Sequence, residues 1–582
     1  VTVLPPSAPE RERLEAPALE PPRERARLRK HGPLLGRRRI ESIALFLVAY
    51  AVYAAIGLRL TLVQHLTVFD AVSRLAHAYF VWYNVPPKLA AIGFVWPPMQ
   101  TLAFLPSAAF KPLATSLAAL PLTSALFGAG TLVVLNVFFR SCGMKPLLRY
   151  GLIVAFGVNP MIVFYSANGM GEAIFLFFLT LGMASFMRWF LAREPRFLIL
   201  AGLAFSIAFL ARFELLVWAL ALVPIMTVAM IRQRVSRDHL EGALIAYLAP
   251  IVYTVGLWMF VSWSVMGDPI YFVSSLTKGE TAAVGLSQQT GASATSATPF
   301  VHYSAQEIAR RLVELNWGLF APTIVVALLL LVSFFLRGDL MSLSLALLLA
   351  VNPALTALLI ERGGNLNPLQ LRYNMRGMTI VLIAIAWLFL GTRRAWQRYA
   401  LGLVSVALLV AALPLTWRTM ETYPYQFYEA AFVRSLVSGE DQLGTRSKTS
   451  LYHKGGYMVV GEYSLGANDM ARYIELHVSR REAILTDDSK TFGVMLSSGR
   501  PDLFLDRIDY GDAQWLDIVN NPFRRVRYIL VPAGGADLIS RRYTGFPEGY
   551  PWARPVYVND YYGLYAVARS PNPAGTRTSK ES

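Results

Sequence analysis

The chain has 582 residues, of which 55% are hydrophobic and only 16% charged, with a mean hydropathy of +0.44. An ordinary soluble protein carries about 25% charged residues; here the apolar residues fall in long blocks separated by short basic loops, the pattern of a polytopic membrane protein. That excludes a soluble enzyme, a disordered regulator and, with Cys142 as the one cysteine, a disulfide scaffold. The net charge of +17 sits largely beside hydrophobic spans, where it orients the chain on a membrane and calls for no nucleic acid.

In chain order, residues 1–40 are rich in Pro, Glu and Arg. They hold too few apolar side chains to offset ordering entropy, so a disordered basic cytoplasmic tail is predicted. The apolar stretch behind it is too long for a signal peptide and has no small-residue cleavage site. The first span is predicted at 41–63, with further spans near 117–139, 150–166, 171–192, 197–212, 213–231, 243–265, 317–336, 342–361, 377–391 and 397–416. Those eleven transmembrane helices make an all-α domain over 41–417. If Arg37, Arg38 and Arg39 are cytoplasmic, alternate crossing puts five more loops on that side. They carry Arg140, Lys145 and Arg149; Arg188, Arg193 and Arg196; Arg232, Arg234 and Arg237; Arg337; and Arg393, Arg394 and Arg398. The positive-inside rule then places the N-terminus in the cytoplasm and the C-terminus outside a plasma (inner) membrane.

Three outer regions follow. Region 64–116 contains FDAVSRLAHAYFVWYN and FVWPPMQTLAFLPSAAF and reads as two helices along the membrane surface. Region 266–316 has a small polar core, QQTGASATSATP, expected to be mobile. Region 418–582 is hydrophilic. There ILTDD, DLFLD, RYILVP and LYAVA read as strands and NDMARYIELHVS and DAQWLDIVNN as helices, an extracytoplasmic α/β domain.

The charged residues at the outer ends are the candidate chemistry. Asp70, Arg74 and His77 are spaced i, i+4 and i+7, on one helical face. A carboxylate at a membrane boundary is costly unless it faces water or a cavity, although Asp70 also suits a helix cap. Glu172, after Gly169 and Gly171, is the sole acid in a long apolar neighbourhood; it fits either a site or a helix start. Arg212 and Glu214 in LARFELLVW either serve a site or neutralise each other. Arg362, Arg372, Tyr373 and Arg376 in ERGGNLNPLQLRYNMRG offer forks for phosphate or anchors for lipid headgroups, and Lys88 shares that ambiguity. The sequence has no GxxxxGK[ST], HExxH, paired CxxC or Gly-x-Ser-x-Gly, so no ATP-driven pump, zinc centre or serine hydrolase is indicated.

Taken in order, FDAVSRLAHAY in the first outer loop, NPMIVFYSANGMGEA, ARFE and GDPIYF resemble the GT-C membrane glycosyltransferases. The likeness is to the bacterial branch related to protein mannosyltransferases and aminoarabinose transferases, and it covers about 41–400. It implies a hexosyl- or pentosyltransferase that uses a polyprenyl-phosphate-linked sugar and passes it, with inversion, to an extracytoplasmic glycan, lipid or protein. It implies Asp70 as the catalytic base and Glu172 as a second catalytic carboxylate, with Arg74, His77, Lys88, Arg212, Arg372 and Arg376 toward the donor phosphate. The family's first acidic site often has two adjacent carboxylates; here Ala71 follows Asp70, which leaves open whether a divalent metal binds Asp70 and Glu172. Burial is expected to raise the pKa of Asp70 and improve it as a base. A transporter of a lipid-linked precursor would place charges in mid-span. A non-catalytic anchor for 418–582 would tolerate changes to the outer acids and arginines.

Overall fold

The computed structural model describes residues 35–571 except 94–95, 274–303, 362–368, 425, 427, 444–445, 449–456, 460, 462, 480, 482, 534 and 536. Most of the N-terminal tail, the QQTGASATSATP stretch and Arg362 lie outside the described residues.

Apolar stretches long enough to cross a bilayer form helices because only a helix satisfies the backbone within its own segment. The bundle begins with α1 (Leu35–Leu58), which runs on through one π-turn (Arg59–Val63). It continues through α2 (Phe69–Tyr83), α3 (Met99–Ala108), α4 (Lys111–Thr115), α5 (Ala119–Ser141), α6 (Pro146–Gly157), α7 (Pro160–Tyr165) and α8 (Gly171–Ala192). Then come α9 (Pro195–Ala211), α10 (Leu215–Arg232), α11 (Arg237–Met266), α12 (Ala305–Phe320), α13 (Pro322–Arg337), α14 (Leu340–Glu361), α15 (Arg376–Gly391) and α16 (Ala395–Thr422). Among the described residues eight helices are long and apolar enough to cross a membrane, which makes this a multi-pass membrane protein; α12 and α13 together give a ninth candidate, and α6 and α9 are shorter apolar helices.

Two expected spans are corrected by proline. The stretch 150–166 is broken at Asn159, whose side chain accepts from the Met161 amide at 3.1 Å and restarts the chain as α7 at Pro160. The stretch 317–336 is broken before Pro322, where the amphipathic α12 turns by 102° into α13. The end of the second outer region, beyond its polar core, is helical as part of α12.

Between apolar helices in a membrane, close approach through small residues replaces the hydrophobic effect as the source of affinity. A Cβ added at Gly57 of α1 would lie 2.4 Å from the Ala167 carbonyl oxygen and from Pro121, and one at Gly202 of α9 2.4 Å from the Tyr247 carbonyl. At the centre stands α15, with 14 of its 16 residues buried. Apart from Arg376 and Thr379 it is apolar all round, so its N-terminal end brings charge to one end of the bundle's core.

Beyond α16 the chain forms α17 (Glu429–Ser438), a hairpin of β1 (Arg446–Lys448) and β2 (Tyr457–Val459), and α18 (Asn468–His477). A five-stranded sheet follows, in the order β4 (Phe504–Leu505), β3 (Ile484–Thr486), β5 (Tyr528–Pro532), β7 (Tyr562–Val567), β6 (Ala553–Val558). β3 is parallel to both β4 and β5, with Leu485 opposite Leu505 and Ile529. α19 (Asp488–Ser498) and α20 (Arg507–Asn520) connect the parallel strands, and β5, β7 and β6 pair antiparallel. The four strands and two helices read from the sequence are all present. β6 and α19 were not foreseen.

The α/β unit packs onto the first loop. Tyr79 of α2 donates to the Gly499 carbonyl at 3.0 Å, and Phe69 meets Phe492 edge-on at 4.8 Å. The side chain of Gln64 donates to Ser435 O at 2.9 Å, and the Gln442 amide donates to Gln64 O at 2.8 Å. Nine of the fifteen residues of α2 are buried. Read from the sequence as one of two helices along the membrane surface, α2 is also covered by the C-terminal unit.

Candidate active site

Three chain reversals and the start of α2 meet at one end of the bundle, around a cavity of about 170 Å³. Asp70 belongs to the first turn of α2, where an acid is favoured by the helix dipole. It does not cap that helix: Val68 holds the cap position, and the Asp70 carboxylate reaches out to accept from Arg372 Nη1 at 2.9 Å. Arg74, one turn on, donates to the Asp70 carbonyl at 3.1 Å and lies 5.0 Å from the centre of the Trp96 ring. Gly169, at φ +78°, makes the turn that carries the chain into α8, and Glu172 follows in the first turn. Glu172 is 4% exposed and accepts from Arg212 Nη1 at 3.0 Å.

Arg212 ends α9 and uses its other terminal nitrogen on Glu214, at 3.1 Å. The same Glu214 oxygen accepts from Arg376 Nη2 at 3.1 Å. Arg376 starts α15 with its charge against the helix dipole, an arrangement that Glu214 offsets. Arg372 lies in the 3₁₀ turn just before α15; besides Asp70 it donates from Nε to Gln370 at 2.7 Å and from Nη2 to the Tyr373 hydroxyl at 3.2 Å. The Tyr373 ring is shared by two cations, Arg212 at 4.8 Å and Arg372 at 5.0 Å.

Four arginines (74, 212, 372, 376) and three carboxylates (70, 172, 214) thus line one cavity and leave one net positive charge. Trp96, Pro97, Phe213, Leu355 and Leu359 supply an apolar wall. In such a setting an anion is held by forks already oriented by their own acids.

The electrostatics correct one expectation. Burial alone pushes the Asp70 carboxyl up, but Arg372, Arg74 and Arg212 outweigh it and hold Asp70 below the ordinary carboxylate range. Glu214 behaves alike: burial raises it, Arg212 and Arg376 lower it further, and it settles at about 2.

Of the residues singled out in the sequence, Asp70, Arg74, Glu172, Arg212, Arg372 and Arg376 line the cavity; His77 and Lys88 do not. His77 shares the angular face of Asp70 but stands seven residues, about 10 Å, farther along the axis. There its Nδ1 lies 2.7 Å from the Ala91 carbonyl and ties a 3₁₀ turn (Leu89–Ile92) to α2. Burial pushes His77 down to about 4, so it is neutral at physiological pH. Lys88 caps that same 3₁₀ turn.

Sequence reasoning missed the bridging role of Glu214, which needs two arginines 164 residues apart in number to be adjacent in space. It also missed Gln100, whose Nε2 donates to the Gly169 carbonyl at 2.8 Å behind Glu172. A lone glutamine in an apolar loop was the available signal. As for a metal, Asp70 and Glu172 are each engaged by an arginine, and among the described residues no group of three or more His, Cys, Asp or Glu is suited to a metal ion.

No protein-family model and no curated protein matches the chain in sequence. Solved structures do match. ArnT from Cupriavidus metallidurans bound to undecaprenyl phosphate aligns over 91% of this chain and 98% of its own, at 12% identity and a TM-score of 0.54. The apo form of the same protein and the Archaeoglobus fulgidus oligosaccharyltransferase tethered to an acceptor peptide each align with a TM-score of 0.42 at 12% identity; the oligosaccharyltransferase match covers 90% of this chain and 74% of that one. Multiple apolar helices, a helical first loop and a terminal α/β unit laid over it together give this chain the GT-C fold.

Proposed function

We propose that the protein is an integral membrane glycosyltransferase that takes a sugar from a polyprenyl-phosphate-linked donor and transfers it, with inversion, to a hydroxyl of an extracytoplasmic acceptor. The observation that carries this reading is the cavity itself. Four arginines with one net positive charge, beside a wall of aromatic and aliphatic side chains, suit a phosphate esterified to a lipid at a membrane boundary. The fold shared with ArnT supports it, since that structure holds undecaprenyl phosphate. In this reading the N-terminus is cytoplasmic, and the cavity and the α/β unit face outward.

Asp70 acts as the base. As the acceptor oxygen attacks the anomeric carbon, its proton passes to the Asp70 carboxylate. The bond from that carbon to the phosphate oxygen breaks on the opposite face, and the electron pair leaves with the polyprenyl phosphate, whose added charge Arg372, Arg376 and Arg74 take up. The Asp70–Arg372 ion pair gives the sequence an order. A donor phosphate competes for the Arg372 fork, and as that fork turns to phosphate the Asp70 carboxyl rises from its depressed value and becomes a stronger base. Glu172 and Glu214 keep Arg212 and Arg376 oriented and charged.

Mass spectrometry of cell-envelope glycans with and without the protein tests the assignment. Loss of one sugar substituent with build-up of its polyprenyl-phosphate donor is expected. Unchanged glycans and donor pools would overturn it.

A further inference from the structure

A second cavity, of about 560 Å³, opens at the far end of the same helices. α8 starts at Gly171 and runs 22 residues away from the active cavity, about 33 Å; α9 returns, and α10 and α11 repeat the excursion. The cavity lies among the turns these helices make at that end. Its inner wall is apolar: Trp189, Leu198 and Met230 are buried, and Ala243 and Ala246 of α11 face them. Gly242 leaves real space, since a Cβ added there meets nothing within 4 Å.

The mouth is organised around one arginine. Arg193 stands at the end of α8 in the left-handed region, φ +57°, a costly conformation for a residue with a side chain. That turn lays its guanidinium 5.0 Å from the Trp189 ring centre and 4.9 Å from that of Phe190, and Nη2 donates to Gln233 Oε1 at 2.5 Å. His239 lines the mouth with Nδ1 2.7 Å from the Ser236 hydroxyl, and Asp238 lines it with a single opposing charge. Across 188–198 and 230–246 six arginines face only three carboxylates (Glu194, Asp238, Glu241). An apolar cleft between helices, with Arg193 at its opening and further arginines on the adjoining turns, is complementary to a negatively charged headgroup carrying an acyl chain.

We infer that this cleft binds one anionic glycerophospholipid, its phosphate at Arg193 and Gln233 and the upper part of an acyl chain along Leu198, Met230 and Ala246. The site is independent of the proposed transfer reaction. In the orientation proposed above it opens to the cytoplasmic leaflet, where anionic lipids attract basic clusters.

The test is native mass spectrometry of the full-length protein released from nanodiscs of phosphatidylglycerol and phosphatidylcholine in equal amounts. One retained phosphatidylglycerol per chain is expected, in preference to phosphatidylcholine. Arg193→Gln should weaken retention about tenfold, from loss of one charge-assisted contact. Gly242→Phe, which fills the cleft without an initial clash, should abolish it while the thermal transition is kept. Equal retention of the two lipids, or phosphatidylglycerol held unchanged by both variants, would overturn the site. So would retention lost only in Arg372→Lys, which would put the lipid in the active cavity.

Discussion

Among the described residues, two partly buried clusters of charge lie at opposite ends of the bundle, and they differ in what they enclose. At one, Glu41 of α1 accepts from Asn136 at 3.2 Å and Arg149 at 2.5 Å on one oxygen and from Arg140 at 3.3 Å on the other. Those donors sit on α5 and α6, so a single carboxylate ties three helices, and its acceptor capacity is largely used up. At the other, Asp70, Glu172 and Glu214 share four arginines; both clusters keep one net positive charge, but here it surrounds an open cavity. A closed cluster holds helices together. One that surrounds a cavity is ready for an anionic ligand, since the acids that orient its arginines are also the groups a ligand can replace.

The sharpest way to break that contrast is Asp70→Asn. It keeps the shape and first-turn position of the residue but removes the base, so turnover per folded molecule should fall by about 10²–10⁴, well beyond the stability lost with one partner of a partly buried ion pair. Equal loss of stability and activity would make Asp70 a structural residue like Glu41. Next in size, Arg372→Lys should weaken donor binding by about ten- to a hundredfold, about 1.5–3 kcal/mol, because a point charge cannot replace the fork. Unchanged donor affinity would reassign these arginines to lipid headgroups.

Glu41→Gln supplies the converse. Removing one partner of a partly buried network should cost about 1–3 kcal/mol of stability, while turnover per folded molecule stays within about twofold. A large loss of turnover in the folded fraction would erase the distinction between the two ends.

Two pH effects refine the comparison. With Asp70 held below the ordinary carboxylate range by Arg372, the acid limb of kcat/KM should lie below that range too. It should move upward in Arg372→Gln; an unmoved limb would belong to another group. Smallest of all, His77→Gln should alter turnover by less than about threefold. The neutral His77 ring is favoured by the fold, with its pKa down at about 4. Its contribution to stability is therefore present above its unfolded value of about 6.5 and is lost as pH falls toward 4. The substitution should flatten that part of the stability profile, which thermal unfolding across pH 4–7 measures.

Much of this was legible in the sequence, for definite reasons. Long apolar runs mark helices because a bilayer allows little else, and the strands around Leu485, Leu505, Ile529 and Leu564 show as short apolar runs between turn residues. Costly acids and arginines at span ends pointed to Asp70, Glu172, Arg212, Arg372 and Arg376 for the same reason: such residues persist in membranes where they face a cavity or each other. What stayed hidden was pairing. Helical spacing gave the angle of His77 and not its distance along the axis, which is why it was grouped with Asp70. Nothing local to RFEL says that Glu214 meets Arg376, and nothing local to Asp70 says that Arg372 will lower a pKa that burial alone would raise. The breaks at Asn159 and before Pro322 were visible as prolines, but a long hydropathy window runs over them.

The most direct measurement is a structure of the protein with polyprenyl phosphate bound. The expected result is a phosphate within hydrogen-bond reach of Arg372 inside the cavity, the Asp70–Arg372 contact opened and the Asp70 carboxylate turned to the vacated side. A phosphate bound elsewhere, with Arg372 still on Asp70, would contradict the assignment of this cavity as the donor site.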